Sequence, residues 1–428
     1  MKANLSLVIA VAVTFFLNLH VASAVTASVS ESPSATEAVL YSFLGTADGL
    51  YPDAGLVMDT SGNLYGTTAY GGGQGSCILI TNLYCGTAFE LSPSAGGGYT
   101  ETVLHGFGAG TDGQNPQANL VLRNGDLYGT TAYGGTHGFG TVFVLARVAG
   151  VWKEKVIHNF AGGADDGQTP AAGLVFDKKG NLHGTTNMGG PYPCGDFTCG
   201  TVFELSPVTG GGWKESILYT FIGGADGANP LSNLIFDSSG NLYGTTDGGG
   251  TSFFGTVFEL SPVSGGWTES VIHSFTGGTD GQAPQAGVVF DAKGNLYGAT
   301  VRGGSTDTGV VFKLSPASGG GWTEAILHSL SGDSQDPGFQ SGVIFGGENL
   351  YGTTGGTARL GGTVYELIPT KSGPWTITVL YTFNGAPDGS QPHGGLIRGS
   401  SGNLYGTTYE GGDLVEPGGG GVVFEVTP

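Results

Sequence analysis

Gly62-Asn63-Leu64-Tyr65-Gly66-Thr67-Thr68 is one of seven near-copies of the same stretch. Its leucine returns at Leu127, Leu182, Leu242, Leu296, Leu350 and Leu404, at intervals of 63, 55, 60, 54, 54 and 54 residues. A fixed period of this size marks a repeat architecture. Around Leu296 the unit reads cleanly. Residues 287–291 (GVVFD) are a short apolar run, followed by a turn at Ala292-Lys293-Gly294 and then by residues 295–300 (NLYGAT). After a loop come residues 310–315 (VVFKLS), a Gly-rich turn and residues 322–330 (WTEAILHSL). The runs are short, rich in β-branched and aromatic residues, and bounded by Gly, Pro, Ser and Asp, which predicts four antiparallel strands, a to d. No stretch after the first two dozen residues sustains a helical period.

The order of the strands decides how the units are joined. Residues 38–43 (AVLYSF) read as a strand d that precedes the first strand a, and residues 422–428 (VVFEVTP) read as a strand c with no d behind it. The spare strand at one end fits the gap at the other. The reading is therefore an all-β ring, a seven-bladed β-propeller with four antiparallel strands per blade, whose N-terminal strand completes the last blade. Closure also removes the exposed edge that an open stack would leave. Residues 1–24 read as a signal peptide, 25–37 as a disordered linker and 38–428 as the propeller.

The signal reading rests on Lys2, on the apolar run at residues 5–17 and on Ala22-Ser23-Ala24, an A-x-A cleavage site. That run is too short to span a bilayer, and no other segment is apolar for longer. Export gives four cysteines an oxidising context. Cys77 and Cys85 share one loop, Cys194 and Cys199 the equivalent loop two repeats on, so two local disulfides are expected. The net charge of −20, from 14 basic and 34 acidic residues, disfavours nucleic acid and anionic lipid as partners. The 84 glycines signal many turns rather than disorder, because 39% of the chain is hydrophobic.

With four antiparallel strands per blade, the a–b and c–d turns share one rim and the b–c and d–a loops the other. The first rim is monotonous. The second varies, and variable loops on a rigid scaffold are where binding usually lives. The candidate binding residues are accordingly Tyr70, Tyr133, His137, Phe139, Phe253, Phe254, Arg302, Asp307, Tyr409 and Glu410, with exposed aromatics suited to sugar rings. Tyr84, Tyr192 and Phe197 share this rim. His393 is a second histidine to test there.

The Asp-Gly-x-x-Pro motif of the d–a loops (Asp48, Asp112, Asp166, Asp226, Asp280, Asp388) would bring a ring of carboxylates near the channel mouth. Ca2+ is the ion such a ring would hold, but a motif present in nearly every blade reads first as a turn. No cofactor and no metal site is assigned. His105, His158, His273 and His328 alternate with Tyr41, Tyr219 and Tyr381 in strand d, and His183 replaces the Tyr of the seven-residue motif. This interchange predicts flat rings packed between blades with their polar tips bonded. No Gly-x-Ser-x-Gly, His-Glu-x-x-His or phosphate-binding Gly-Lys-Ser/Thr pattern is present, so no catalytic residue is assigned. Asp307, Glu410, Asp413 and Glu416 are the acids least dictated by the repeat.

Gly-Asn-Leu-Tyr-Gly-Thr-Thr, then Gly-Gly, Gly-Thr-Val-Phe-Glu-Leu-Ser-Pro, Trp-Thr-Glu and a strand ending in Phe, resembles the GloVer repeat, a tandem repeat of exported bacterial proteins, many with a C-terminal sorting anchor. The resemblance covers residues 38–428. It implies export and a repeat scaffold but no activity. The chain ends at Pro428 directly after a strand, without spacer, apolar tail or basic cluster, so release as a secreted, extracellular monomer is expected rather than tethering. The leading functional expectation is a non-catalytic module binding a polysaccharide or a surface partner. The alternative is a polysaccharide hydrolase or lyase using rim carboxylates.

Overall fold

The computed structural model describes residues 30–31, 35–45, 47–72, 85–108, 110–332, 341–356, 361–414 and 418–428. They form seven four-stranded antiparallel sheets. Blade one comprises Val57–Met58, Leu64–Thr68, Thr87–Pro93 and Tyr99–Gly106 as strands a to d. Blade three comprises Val175–Phe176, Leu182–Thr186, Thr201–Pro207 and Trp213–Thr220, and blade four Ile235–Phe236, Leu242–Thr246, Thr256–Val263 and Gly266–Ser274. Blade seven comprises Ile397–Arg398, Leu404–Thr408 and Val422–Thr427, and its fourth strand is Thr36–Ser42 from the other end of the chain. The pairing runs from Thr36 opposite Thr427 to Ser42 opposite Val422. The chain is thus the predicted all-β propeller, closed as expected. That strand starts two residues before position 38, because Thr36 still finds a partner in Thr427. Ser30–Glu31, within the segment read as linker, pairs in parallel with Thr378 and Val379 of blade six. Among the described residues no helix is long and apolar enough to cross a membrane.

The repeated motif maps onto strand b, and each of its residues has a packing task. Its leucine is fully buried in every blade. Its glycine faces the aromatic ring of strand c: Gly66 pairs with Phe89, and a Cβ on Gly66 would lie 2.6 Å from the Phe89 ring. The first threonine reaches the next blade, as Thr130 Oγ1 donates to the Ala172 carbonyl at 3.0 Å. The same bond from Thr407 to the Ala54 carbonyl at 2.8 Å ties blade seven to blade one. The second threonine stays at home, with Thr246 and Thr256 hydroxyls 2.8 Å apart. In every blade but the fifth, where Leu330 stands, strand d ends in a buried phenylalanine that meets the strand c ring of the following blade edge-on, as Phe221 meets Phe258 at 5.1 Å. The core is therefore a set of seven inter-blade layers.

This packing makes the motif glycine intolerant of any side chain. In Gly244→Ala the added methyl would lie 2.7 Å from Phe258 and 2.8 Å from Leu234. Overpacking of this kind costs about 1–3 kcal/mol, and urea unfolding of the variant is expected to show that loss at an unchanged m-value.

Candidate functional site

Strand a lies innermost, and one short segment per blade lines a central channel of about 330 Å3. The residue after the Pro of each Asp-Gly-x-x-Pro motif contributes to this lining: Asp53, Gln117, Ala171, Leu231, Gln285 and His393. These six are of five kinds, acidic, amide, small, apolar and imidazole, although the backbone around them repeats. The mouth is therefore asymmetric.

On the side of blades seven and one it carries a ring cluster. Tyr409 stacks on Tyr51 at 4.7 Å and 15° and on His393 at 4.9 Å and 23°, while Tyr70 meets Tyr51 edge-on at 6.0 Å. His393 Nδ1 bonds the Asp53 carboxylate at 2.9 Å. Burial, and then the neighbouring phenols and Asp53, push the Tyr409 hydroxyl up to about 12, and burial raises that of Tyr70. Both stay neutral and able to donate. Tyr51 thus joins Tyr70 and Tyr409, while Tyr133 pairs with Gln114 in the next blade.

Tyr51 and Asp53 escaped the sequence reading, and His393 was placed only on the rim. A signal for Tyr51 existed. Its equivalents Asn115, Thr169, Asn229, Ala283 and Gln391 are all smaller, and all share its positive φ. A bulky ring at φ 58° is a strained choice. It is held by the same bonds as its equivalents: its N–H donates to the Gly420 carbonyl and its own carbonyl accepts from Ala69.

The other candidates spread around the rim. Phe139 and Phe254 lean over Gly162 and Gly277 of their own blades and remain 36% and 37% exposed. Phe253 is 71% exposed at φ 65°. Phe197, at 60%, projects from the loop pinned by the Cys194–Cys199 disulfide, beside Tyr192 at 44%. His137 and Arg302 are exposed. Asp307 turns inward on its loop, accepting the Gly303 N–H at 2.9 Å, and Glu410 accepts from the Gln391 amide at 2.9 Å. These two acids are each engaged locally. Cys77, Tyr84 and Glu416 lie outside the described residues.

The Asp-Gly-x-x-Pro carboxylates do not ring the mouth. They sit between blades, each capping its own loop. Asp48 accepts the N–H groups of Leu44 and Gly45 and the Tyr41 hydroxyl at 3.0 Å. His105 and His273 take the tyrosine's place, bonding Asp112 at 2.9 Å and Asp280 at 3.2 Å. A glutamate from strand d of the following blade faces each such pair, and this partner was missed. It is Glu37, Glu101, Glu154, Glu215, Glu269 or Glu324. Burial first, and then the adjacent aspartate, raises these carboxyls to about 7 in the first three, about 8 in Glu215 and Glu269 and about 9 in Glu324.

Two grooves larger than the channel lie on the opposite, monotonous rim. One, of about 620 Å3, runs between blades three and four, and another of about 590 Å3 lies in the same place between blades one and two. The first has His183 at its floor, where the expectation of a bonded polar tip fails. The ring is 1% exposed and neither nitrogen has a hydrogen bond. Desolvation lowers its basicity.

Among solved structures, an ancestral GH74 enzyme is similar over 89% of this chain and 48% of its own, at 10% identity and a TM-score of 0.56. A candidate 6-phosphogluconolactonase from Bacteroides uniformis matches over 74% of this chain and 84% of its own, at 14% identity and a TM-score of 0.49. Likeness at these identities concerns the fold alone. No curated protein matches the sequence. The profile of the Gloeobacter/Verrucomicrobia repeat matches residues 27–197, 80–277, 194–337 and 265–428 in overlapping copies. The matches together span the whole propeller, so the chain belongs to the Gloeobacter/Verrucomicrobia repeat family.

Proposed function

We propose that this protein is an exported, non-catalytic binding module whose loop-rich rim holds a polysaccharide or a surface partner. The observation that carries the reading is the arc of exposed rings on three consecutive blades: Phe139, Tyr192, Phe197, Phe253 and Phe254. Exposed aromatics concentrated on one face of a soluble scaffold mark an interaction surface. Phe253 adds weight, because a strained backbone persists where the surroundings hold it for a purpose. On the side of blades seven and one the mouth supplies phenol and imidazole groups that can bond sugar hydroxyls. The disulfide suits an oxidising compartment outside the cytosol. The hydrolase or lyase alternative has less support, since Asp307 and Glu410 are each bonded within or beside their own loop.

Affinity electrophoresis and a glycan array test the reading. A Phe197→Ala, Phe253→Ala double variant is expected to keep its melting temperature, because both rings are exposed. It should lose binding by roughly tenfold per ring, at about 1–1.5 kcal/mol for each stacking contact. Absence of binding across the panel, or undiminished binding by the variant, would refute the proposal. Release of reducing ends or unsaturated products from the same panel would favour the enzyme instead.

A further inference from the structure

We propose that Asp177, His183 and Glu204 form a site for one divalent cation of the zinc class, at the floor of the groove between blades three and four. In most blades this position is a tyrosine whose hydroxyl fills the space between the a–b turn and strand c. Tyr65 lies 3.3 Å from Asp59 and 3.4 Å from Glu90, and Tyr297 lies 3.1 Å from Asp291. The shorter imidazole of His183 stops before that point. Its Nε2 stands 3.8 Å from Asp177 Oδ2 and 3.6 Å from Glu204 Oε2. Both distances are too long for a hydrogen bond.

They come close to the spacing around a shared ion. Bonds of ~2.0–2.2 Å in a tetrahedral site put neighbouring ligand atoms about 3.3–3.6 Å apart, and the three donor atoms here all lie within 4.8 Å of one another. A fully buried imidazole with no hydrogen bond, aimed at two carboxylates, is the independent sign that something belongs between them. One nitrogen and two oxygens favour Zn2+ over Ca2+, which prefers oxygen alone.

The carboxylates are already oriented. Asp177 accepts from the Asn181 amide at 2.9 Å and from two backbone N–H groups at 2.8 Å, and Glu204 accepts from Ser206 Oγ at 2.6 Å. Such outer bonds hold metal ligands in place. The groove, lined by Phe176, Trp267, Lys178 and Lys179, supplies the entry path and leaves the remaining coordination position open. Three other His-Asp-Glu clusters have comparable spacing, formed around His105, His158 and His273. They occupy positions that hold Tyr41 or Tyr219 in other blades. His105 and His273 are hydrogen-bonded to their aspartates, at 2.9 and 3.2 Å. His158 Nε2 stands 3.7 Å from Asp166 and 3.6 Å from Glu215, but its ring is 18% exposed against 1% for His183.

The test is a ZnCl2 titration of the EDTA-stripped protein by calorimetry, beside His183→Tyr and Glu204→Gln. His183→Tyr restores the residue of the sister blades and is expected to fold, as its own melt will show. The wild-type protein should take up one more equivalent than His183→Tyr and gain several degrees in Tm that the variant does not. Glu204→Gln should bind at least tenfold more weakly. Co2+ should give a visible absorption band in the wild-type protein that His183→Tyr lacks. If His183→Tyr does not fold, the Co2+ band and affinity of Glu204→Gln carry the comparison. Equal stoichiometry and equal Tm response in wild type and variants, or no binding to the wild type, would overturn the site.

Discussion

A chain that begins at residue 44 will not melt as a cooperative monomer, whereas one that begins at residue 35 will. The difference is the strand Thr36–Ser42 and the ring behind it. This strand pairs along the whole of Val422–Thr427. Without it, strand c of blade seven becomes an open edge, a template for pairing with another chain. Phe43 goes as well, and it is fully buried against Phe89 of blade one at 5.1 Å. Loss of a core phenylalanine alone costs about 3–5 kcal/mol, against a total stability of about 5–15 kcal/mol for a folded domain. Phe43→Ala in the longer chain isolates that part of the effect. Circular dichroism melts and gel filtration of the two chains decide the matter. Equal melting temperatures and equal monomer content would mean that the ring does not depend on its N-terminal strand.

The second large effect is with pH. Six glutamates sit at inter-blade boundaries with their carboxyls raised from 4.5 to about 7–9. A raised acid binds its proton more tightly in the folded chain. The stabilisation is fully present below the unfolded value and is lost as pH rises through the folded one. Some of the partner aspartates shift the other way: Asp166 and Asp280 are lowered, because burial is outweighed by the N–H groups of Ala161 and Gly167 on Asp166, by Thr276 on Asp280, and by the charge of the neighbouring imidazoles. Their contribution holds above the usual carboxylate range and is lost in stronger acid. The two trends place maximal stability near the unfolded glutamate value of 4.5, with a decline from there through the folded values of about 7–9. Each glutamate keeps some contact with solvent, so we discount its share to about 1 kcal/mol, and six together lower the Tm by roughly 5–10 °C. Differential scanning fluorimetry at constant ionic strength measures the decline. Glu215→Gln, Glu269→Gln and Glu324→Gln combined should flatten it, because an amide donates to aspartate at any pH. A triple variant with the full decline would show that these carboxyls do not carry it.

This belt shows how far a repeated sequence can be read. The Trp-Thr-Glu motif and the Asp-Gly-x-x-Pro motif are both visible as strings. That the glutamate of one blade meets the aspartate of the preceding loop is not, because the contact crosses a blade boundary whose geometry no spacing records. The same holds at the mouth. Tyr70 and Tyr409 could be chosen as rim aromatics, yet their union with Tyr51 and His393 joins the beginning of the ring to its end.

Local chemistry was legible from the residues themselves. The strand pattern, the turn residues between strands and the spare N-terminal strand all follow from short-range rules of backbone conformation and alternation, and the strand count then forces closure into seven blades. What the fold alone decided is which side chains from separate blades share a space. His183 and Tyr65 occupy the same place in the repeat, and only their reach across a packed interface, a matter of a few tenths of an ångström, leaves one pair of carboxylates bonded and the other apart.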